Sequence, residues 1–92
     1  MSGTGKDFEA LRAKLEEEGK YPKLYLFKFI IPSDNRTLAL VEALFSDDAI
    51  IDLRSSRNGK YLSISAKEVM TNSDSIIQRY QEAMKIEGVI AL

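Results

Sequence analysis

One antiparallel four-stranded sheet with two helices on one face, an α+β sandwich, is the fold class this 92-residue sequence predicts. Three observations lead there. Apolar residues repeat by twos or by threes and fours in the order strand, helix, strand, strand, helix, strand. A single tight turn, Ser55-Ser56-Arg57-Asn58-Gly59-Lys60-Tyr61, joins the two middle strands. Every connection is short, as expected of one compact domain. Such sandwiches carry many unrelated functions, so the fold alone constrains chemistry little.

An additional helix leads the chain. Phe8, Leu11 and Leu15 are spaced by three and four, which predicts an amphipathic helix over 6–18, after a flexible terminus at 1–5. Asp7 and Glu9 near its start suit the positive end of the helix dipole. Gly19 stops it, and Pro22 enforces extended backbone. The first strand follows over 23–31. Tyr25, Phe27, Phe29 and Ile31 fall on one face, and Leu24, Leu26, Lys28 and Ile30 on the other. Only the second set contains a charge, so the aromatic set belongs to the helix-covered core.

Pro32-Ser33-Asp34-Asn35 breaks the strand and supplies N-caps for a helix whose stripe is Leu38, Val41, Leu44 and Phe45 and whose end is Asp47-Asp48. The second strand, 49–56, should point Ile51 and Leu53 inward and Ile50, Asp52 and Arg54 outward. Asn58-Gly59 is the strongest hairpin signal in the chain, because both residue types tolerate positive φ. The third strand, from Lys60 to about Val69, should bury Leu62, Ile64 and Ala66 and expose Tyr61, Ser63, Ser65 and Lys67. Thr71 to Asp74 then caps a helix with the stripe Ile76, Ile77, Tyr80 and Met84. Glu87-Gly88 turns into a last strand, Val89-Ile90-Ala91-Leu92. Right-handed crossovers put strands one and three in the centre and two and four at the edges, the ferredoxin-like βαββαβ arrangement. Its second sheet face receives no helix from this motif. The leading helix could rest on part of that face or on a partner.

Composition excludes more chemistry than it suggests. There is no cysteine, hence no disulfide, thiolate metal site or thiol nucleophile, and no histidine, the usual acid–base group at neutral pH. The expectation is therefore a protein that is not an enzyme, with no cofactor and no metal. Charge is balanced, 7 basic and 7 acidic residues through Ser46 and 6 and 7 after it, so no basic arm invites nucleic acid. No apolar run approaches a membrane span. A cytoplasmic single domain, without nucleic-acid or membrane partners, is the resulting expectation.

Two longer segments carry a family likeness. Tyr21-Pro22 running into Tyr25-x-Phe27-Lys28-Phe29, and Ser55-Ser56-x-x-Gly59-Lys60-Tyr61-x-Ser63-Ile64-Ser65, resemble the YbeD-like family, small bacterial proteins also grouped as domain-of-unknown-function family 493. The leading helix and the closing Ile86-x-Gly88-Val89 agree, so the likeness spans nearly the whole chain. It implies a βαββαβ fold similar to ACT-type regulatory domains, and no assigned activity. ACT-type sensors carry a glycine where the first strand meets the first sheet-covering helix; here that junction reads Ile31-Pro32-Ser33-Asp34.

Among contact residues, Arg54, Arg57 and Lys60 gather on or beside the hairpin and could hold a carboxylate or phosphate. The bland reading gives a turn its charge for solubility. Lys28, with Ser63 and Ser65 on the adjacent strand, lies on the uncovered sheet face. It could bind a partner carboxylate, or simply keep an open sheet from sticking to others. The serines lack a base, so they are not nucleophiles. Gly3-Thr4-Gly5-Lys6 lacks the spacing of a phosphate loop, and Glu16-Glu17-Glu18 and Asp47-Asp48 lack the alternating oxygens of a calcium loop. The sequence thus points first to a regulatory or adaptor module that associates with a protein partner or with itself as a homodimer. A sensor of an amino acid or organic anion is the alternative, with the hairpin cations or the 33–35 junction as contacts.

Overall fold

The computed structural model describes residues 2–92, with side chains from Phe8 onward. The elements are α1 (Ser2–Glu18), β1 (Lys23–Pro32), α2 (Asn35–Glu42), β2 (Ile50–Ser55), β3 (Tyr61–Met70), α3 (Ser73–Met84) and β4 (Ile90–Ala91). All strand pairs are antiparallel, in the order β2-β3-β1-β4. The ferredoxin-like sandwich expected from the sequence, with β1 and β3 central, is the fold of the chain. No helix among the described residues is long and apolar enough to cross a membrane.

The two-residue period of β1 and β3 decides where the core lies. Phe27, Phe29, Ile31, Ile64 and Ala66 are fully shielded, and the α3 stripe of Ile76, Ile77, Tyr80 and Ala83 closes over them. Burying each large side chain contributes about 1.5–3 kcal/mol. The rings interlock at steep angles: Phe27 lies tilted at 5.5 Å from Phe45 and 5.4 Å from Tyr80, and Phe29 meets Tyr80 edge to face at 5.8 Å.

Caps fall within the predicted clusters. Asp34 accepts from the Arg36 N–H at 3.2 Å to start α2, and Asn72 accepts from the Ser75 N–H at 2.8 Å to start α3. Several details differ from the sequence pattern. α2 ends at Glu42 rather than at Asp47-Asp48. Leu44 N–H then donates to Val41 and Phe45 N–H to Glu42, tighter three-residue steps that turn Phe45 down onto the sheet rings. Leu53 shares the inward side of β2 with Ile51, yet it is 41% exposed, because no helix among the described residues packs closely over that edge. Met84 is also exposed, and Ala83 takes the buried position. The last strand shortens to Ile90–Ala91.

The hairpin turn differs too. Only Gly59 has positive φ, at 75°, while Asn58 contributes its side chain, accepting from the Lys60 N–H and the Ser56 hydroxyl at 3.1 Å each. The leading helix packs on the helical layer rather than on the open sheet face. Leu15 is buried, Phe8 and Leu11 lie against the core, Arg12 pairs with Asp74, and Ser73 Oγ donates to Glu16 Oε2 at 2.5 Å. Hydrocarbon from α1 therefore finds its partner beside α3, and two polar contacts lock the pair. The backbone is helical from Ser2, so Asp7 and Glu9 lie past the first turn; of the 1–5 terminus, Met1 lies outside the described residues.

Candidate functional site

With α1, α2 and α3 all on one side, the other sheet face is left uncovered. Strand register arranges it in rows. Leu24 lies opposite Val69; Leu26, Lys67 and Ile50 form the next row; Lys28, Ser65 and Asp52 the third; Ile90, Ile30, Ser63 and Arg54 the fourth. Adjacent members of a row stand about 5 Å apart. Leu24, Leu26, Ile50, Tyr61, Val69 and Ile90 are 46–68% exposed here. The result is a band of apolar residues at each end and a polar belt between, with Lys28, Arg54 and Lys67 outnumbering Asp52.

Four of the six contact residues expected from the sequence come together on this face: Lys28, Arg54, Ser63 and Ser65. Arg54 and Ser63 also line a shallow hollow of about 290 Å³ with Ile30 and Tyr61. Arg57 and Lys60 do not join them. They ride on the turn between the strands, exposed, and line no part of that hollow. Among the described residues none of these cations makes an ion pair within the chain.

A second concavity, about 650 Å³, opens at the β1–α2 junction between Asp34, Arg36, Lys85 and Glu87. Asp34 is committed to its helix: Thr37 Oγ1 donates to it at 2.7 Å, and this bond, with the Arg36 N–H, holds its carboxyl below the usual range. Lys85 pairs with Glu82 at 3.1 Å. A glycine near the other end of the chain packs against this junction. Gly88, at φ 88°, lies so close to Pro32 that a Cβ would meet the ring at 3.0 Å.

Two polar pairs between the sheet and α3 have no counterpart in the sequence reading. Arg79 grips Glu68 with both nitrogens, at 2.7 and 3.2 Å, and its guanidinium stacks 5.4 Å from the Phe27 ring and 5.1 Å from that of Phe45. The bond from Arg79 holds the Glu68 carboxyl below its ordinary value. Glu68 continues the inward alternation of Leu62, Ile64 and Ala66, and an acid in that phase needs a cation from the covering helix; that was the available signal. Tyr25 and Tyr80 join hydroxyls at 3.1 Å, and burial, then this bond, push the Tyr80 phenol far up. No cluster of acidic residues among the described residues could hold a metal ion.

Comparison with known proteins returns one finding. The family model described as protein of unknown function, DUF493, matches residues 16–92. No curated protein and no solved structure matches the chain.

Proposed function

We propose that this chain, which belongs to the DUF493 family, is a non-catalytic regulatory or adaptor module that associates with a protein partner through its open sheet face. The observation that carries the reading is the six apolar side chains left 46–68% exposed on one uncovered surface. Removing such area from water is favourable at about 25 cal/mol per Å², and two apolar bands flanking a polar belt on one open face have the layout of an association surface. The cation excess of Lys28, Arg54 and Lys67 over Asp52 selects a partner surface that is apolar with acidic groups at its margin. A chain without histidine or cysteine has few groups for catalysis, and one without cysteine suits the cytoplasm, where disulfides are rare.

Affinity capture with the wild-type chain and an Ile50→Asp, Val69→Asp double variant tests it. Both positions are exposed, so each substitution changes stability by only about 0.5 kcal/mol. A partner held by the wild type and lost from the equally stable variant is the expected result. Equal capture by both chains removes the face from consideration. A sensing role has one observation in its favour, the junction cleft in which Arg36 has no ion-pair partner among the described residues. Amino or organic acids at a hundredfold excess over Kd would add about 2.7 kcal/mol of stability. Arg36→Ala would cancel that thermal shift, and a flat screen would leave association alone.

A further inference from the structure

We infer that the open sheet face takes an amphipathic helix of a partner protein, laid along β1 with acidic residues on the margin that faces β2. The inference rests on the association reading above and names the partner element. An antiparallel sheet face left to water alternates to polar side chains. The outward positions of β1 are instead Leu24, Leu26, Lys28 and Ile30, with Val69 beside Leu24 and Tyr61 beyond Ile30 on β3. Leu24, Leu26, Val69 and Tyr61 are all exposed. Lys28 alone interrupts this apolar line, and its stem is itself hydrocarbon.

Charge collects to one side of the line. Lys67 lies on β3 and Arg54 on β2, and among the described residues neither they nor Lys28 makes an ion pair within the chain. Lys67 pairs with Ile50, four residues before Arg54, so the two cations stand about 13 Å apart along the strands. Two to three turns of helix cover the same distance. Acidic residues seven or eleven apart share one margin of a helix and meet both cations.

The backbone decides for a helix over an extended segment. β3 is bonded to β1 and β2 within the sheet, so the middle of the face offers side chains and no backbone partners. A strand laid there would bury its own N–H and C=O groups unbonded. A helix satisfies its backbone internally and presents its apolar side chains in one stripe. Leu24 to Ile30 spans about 20 Å, which 13 or 14 helical residues match at about 1.5 Å each. A second copy of this chain fits less well, because two such faces bring the same excess of cations together.

Selection from displayed eighteen-residue helical peptides, against the intact chain, is the test. Each peptide carries a fixed leucine stripe at i, i+4, i+7 and i+11, flanked by alanine, glutamate, lysine or glutamine. Enriched peptides should carry glutamates on one margin, seven or eleven residues apart. A synthetic copy should shift the amide resonances of Leu24, Leu26, Lys67 and Val69. A Lys67→Glu, Arg54→Glu chain, changed only at exposed positions, should bind that copy roughly tenfold more weakly. The same chain should bind a copy with lysine in place of glutamate more tightly than the wild type does. No enrichment, equal enrichment of glutamate and lysine margins, or shifts confined to other surfaces overturns the inference. Self-association through the face, or binding of the chain to phosphatidylserine vesicles that Ile50→Asp, Val69→Asp abolishes, overturns it too. A captured partner that is lost from the Ile50→Asp, Val69→Asp chain but held fully by the charge-reversed chain overturns the helix inference alone. Equal capture by the wild type and the aspartate chain removes the association reading with it.

Discussion

Gly59 and Arg79 show two ways in which a single residue carries a local structure. At Gly59 the requirement is conformational: φ is 75°, and a Cβ there would meet nothing within 4 Å. Gly59→Ala should therefore cost about 1 kcal/mol or more in backbone strain alone. A melting curve should show this as a drop of roughly 4–8 °C, and an unchanged midpoint would contradict the turn geometry. At Arg79 the requirement is electrostatic. Arg79→Ala strands the mostly shielded Glu68 carboxylate and should cost about 2 kcal/mol at pH 7 by urea titration. Because the folded chain lowers the Glu68 pKa, this contribution is fully present above the ordinary value of 4.5 and is lost as pH falls through the lowered one. The gap between variant and wild type should narrow at pH 3. Asn58-Gly59 marked the turn in the sequence, but the pairing of Glu68 with Arg79, eleven residues away and on another element, was not legible, because no local rule fixes which helical cation meets a strand acid.

Elements obey the same division. β1 and β3 were readable residue by residue, because strict alternation between Phe27, Phe29 and Ile31 and their polar or exposed neighbours admits one register against the core. The end of α2 was not, because Leu44 and Phe45 stay in phase with the helix after its backbone has tightened. α1 shows the limit most clearly. Its stripe of Phe8, Leu11 and Leu15 was visible, but two surfaces could have received it; burial of Leu15 beside α3 dominates the choice, and the surface ties from Glu16 to Ser73 and from Arg12 to Asp74 add little. Leu15→Ala should then behave as a core truncation, costing about 2–5 kcal/mol. If denaturant titration shows a loss below 0.5 kcal/mol, α1 is not part of the cooperative unit.

For the whole molecule, three helices on one side leave a sheet face open, and this is the surface proposed for association. The Ile50→Asp, Val69→Asp chain should keep a single cooperative melt, since neither side chain belongs to the core; loss of that melt would make the face structural rather than functional. The sequence by itself determined the order of elements, the buried side of β1 and β3, the central and edge strands, and the residue types absent from any active site. Those properties follow from periodicity, chirality and composition, which act over a few residues or over the whole chain at once. Only the tertiary structure decided where α1 rests, that Arg57 and Lys60 stand apart from Arg54, and that Gly88 packs against Pro32 at the β1–α2 junction. Each of these depends on contacts between segments distant in sequence, whose energies no single segment contains.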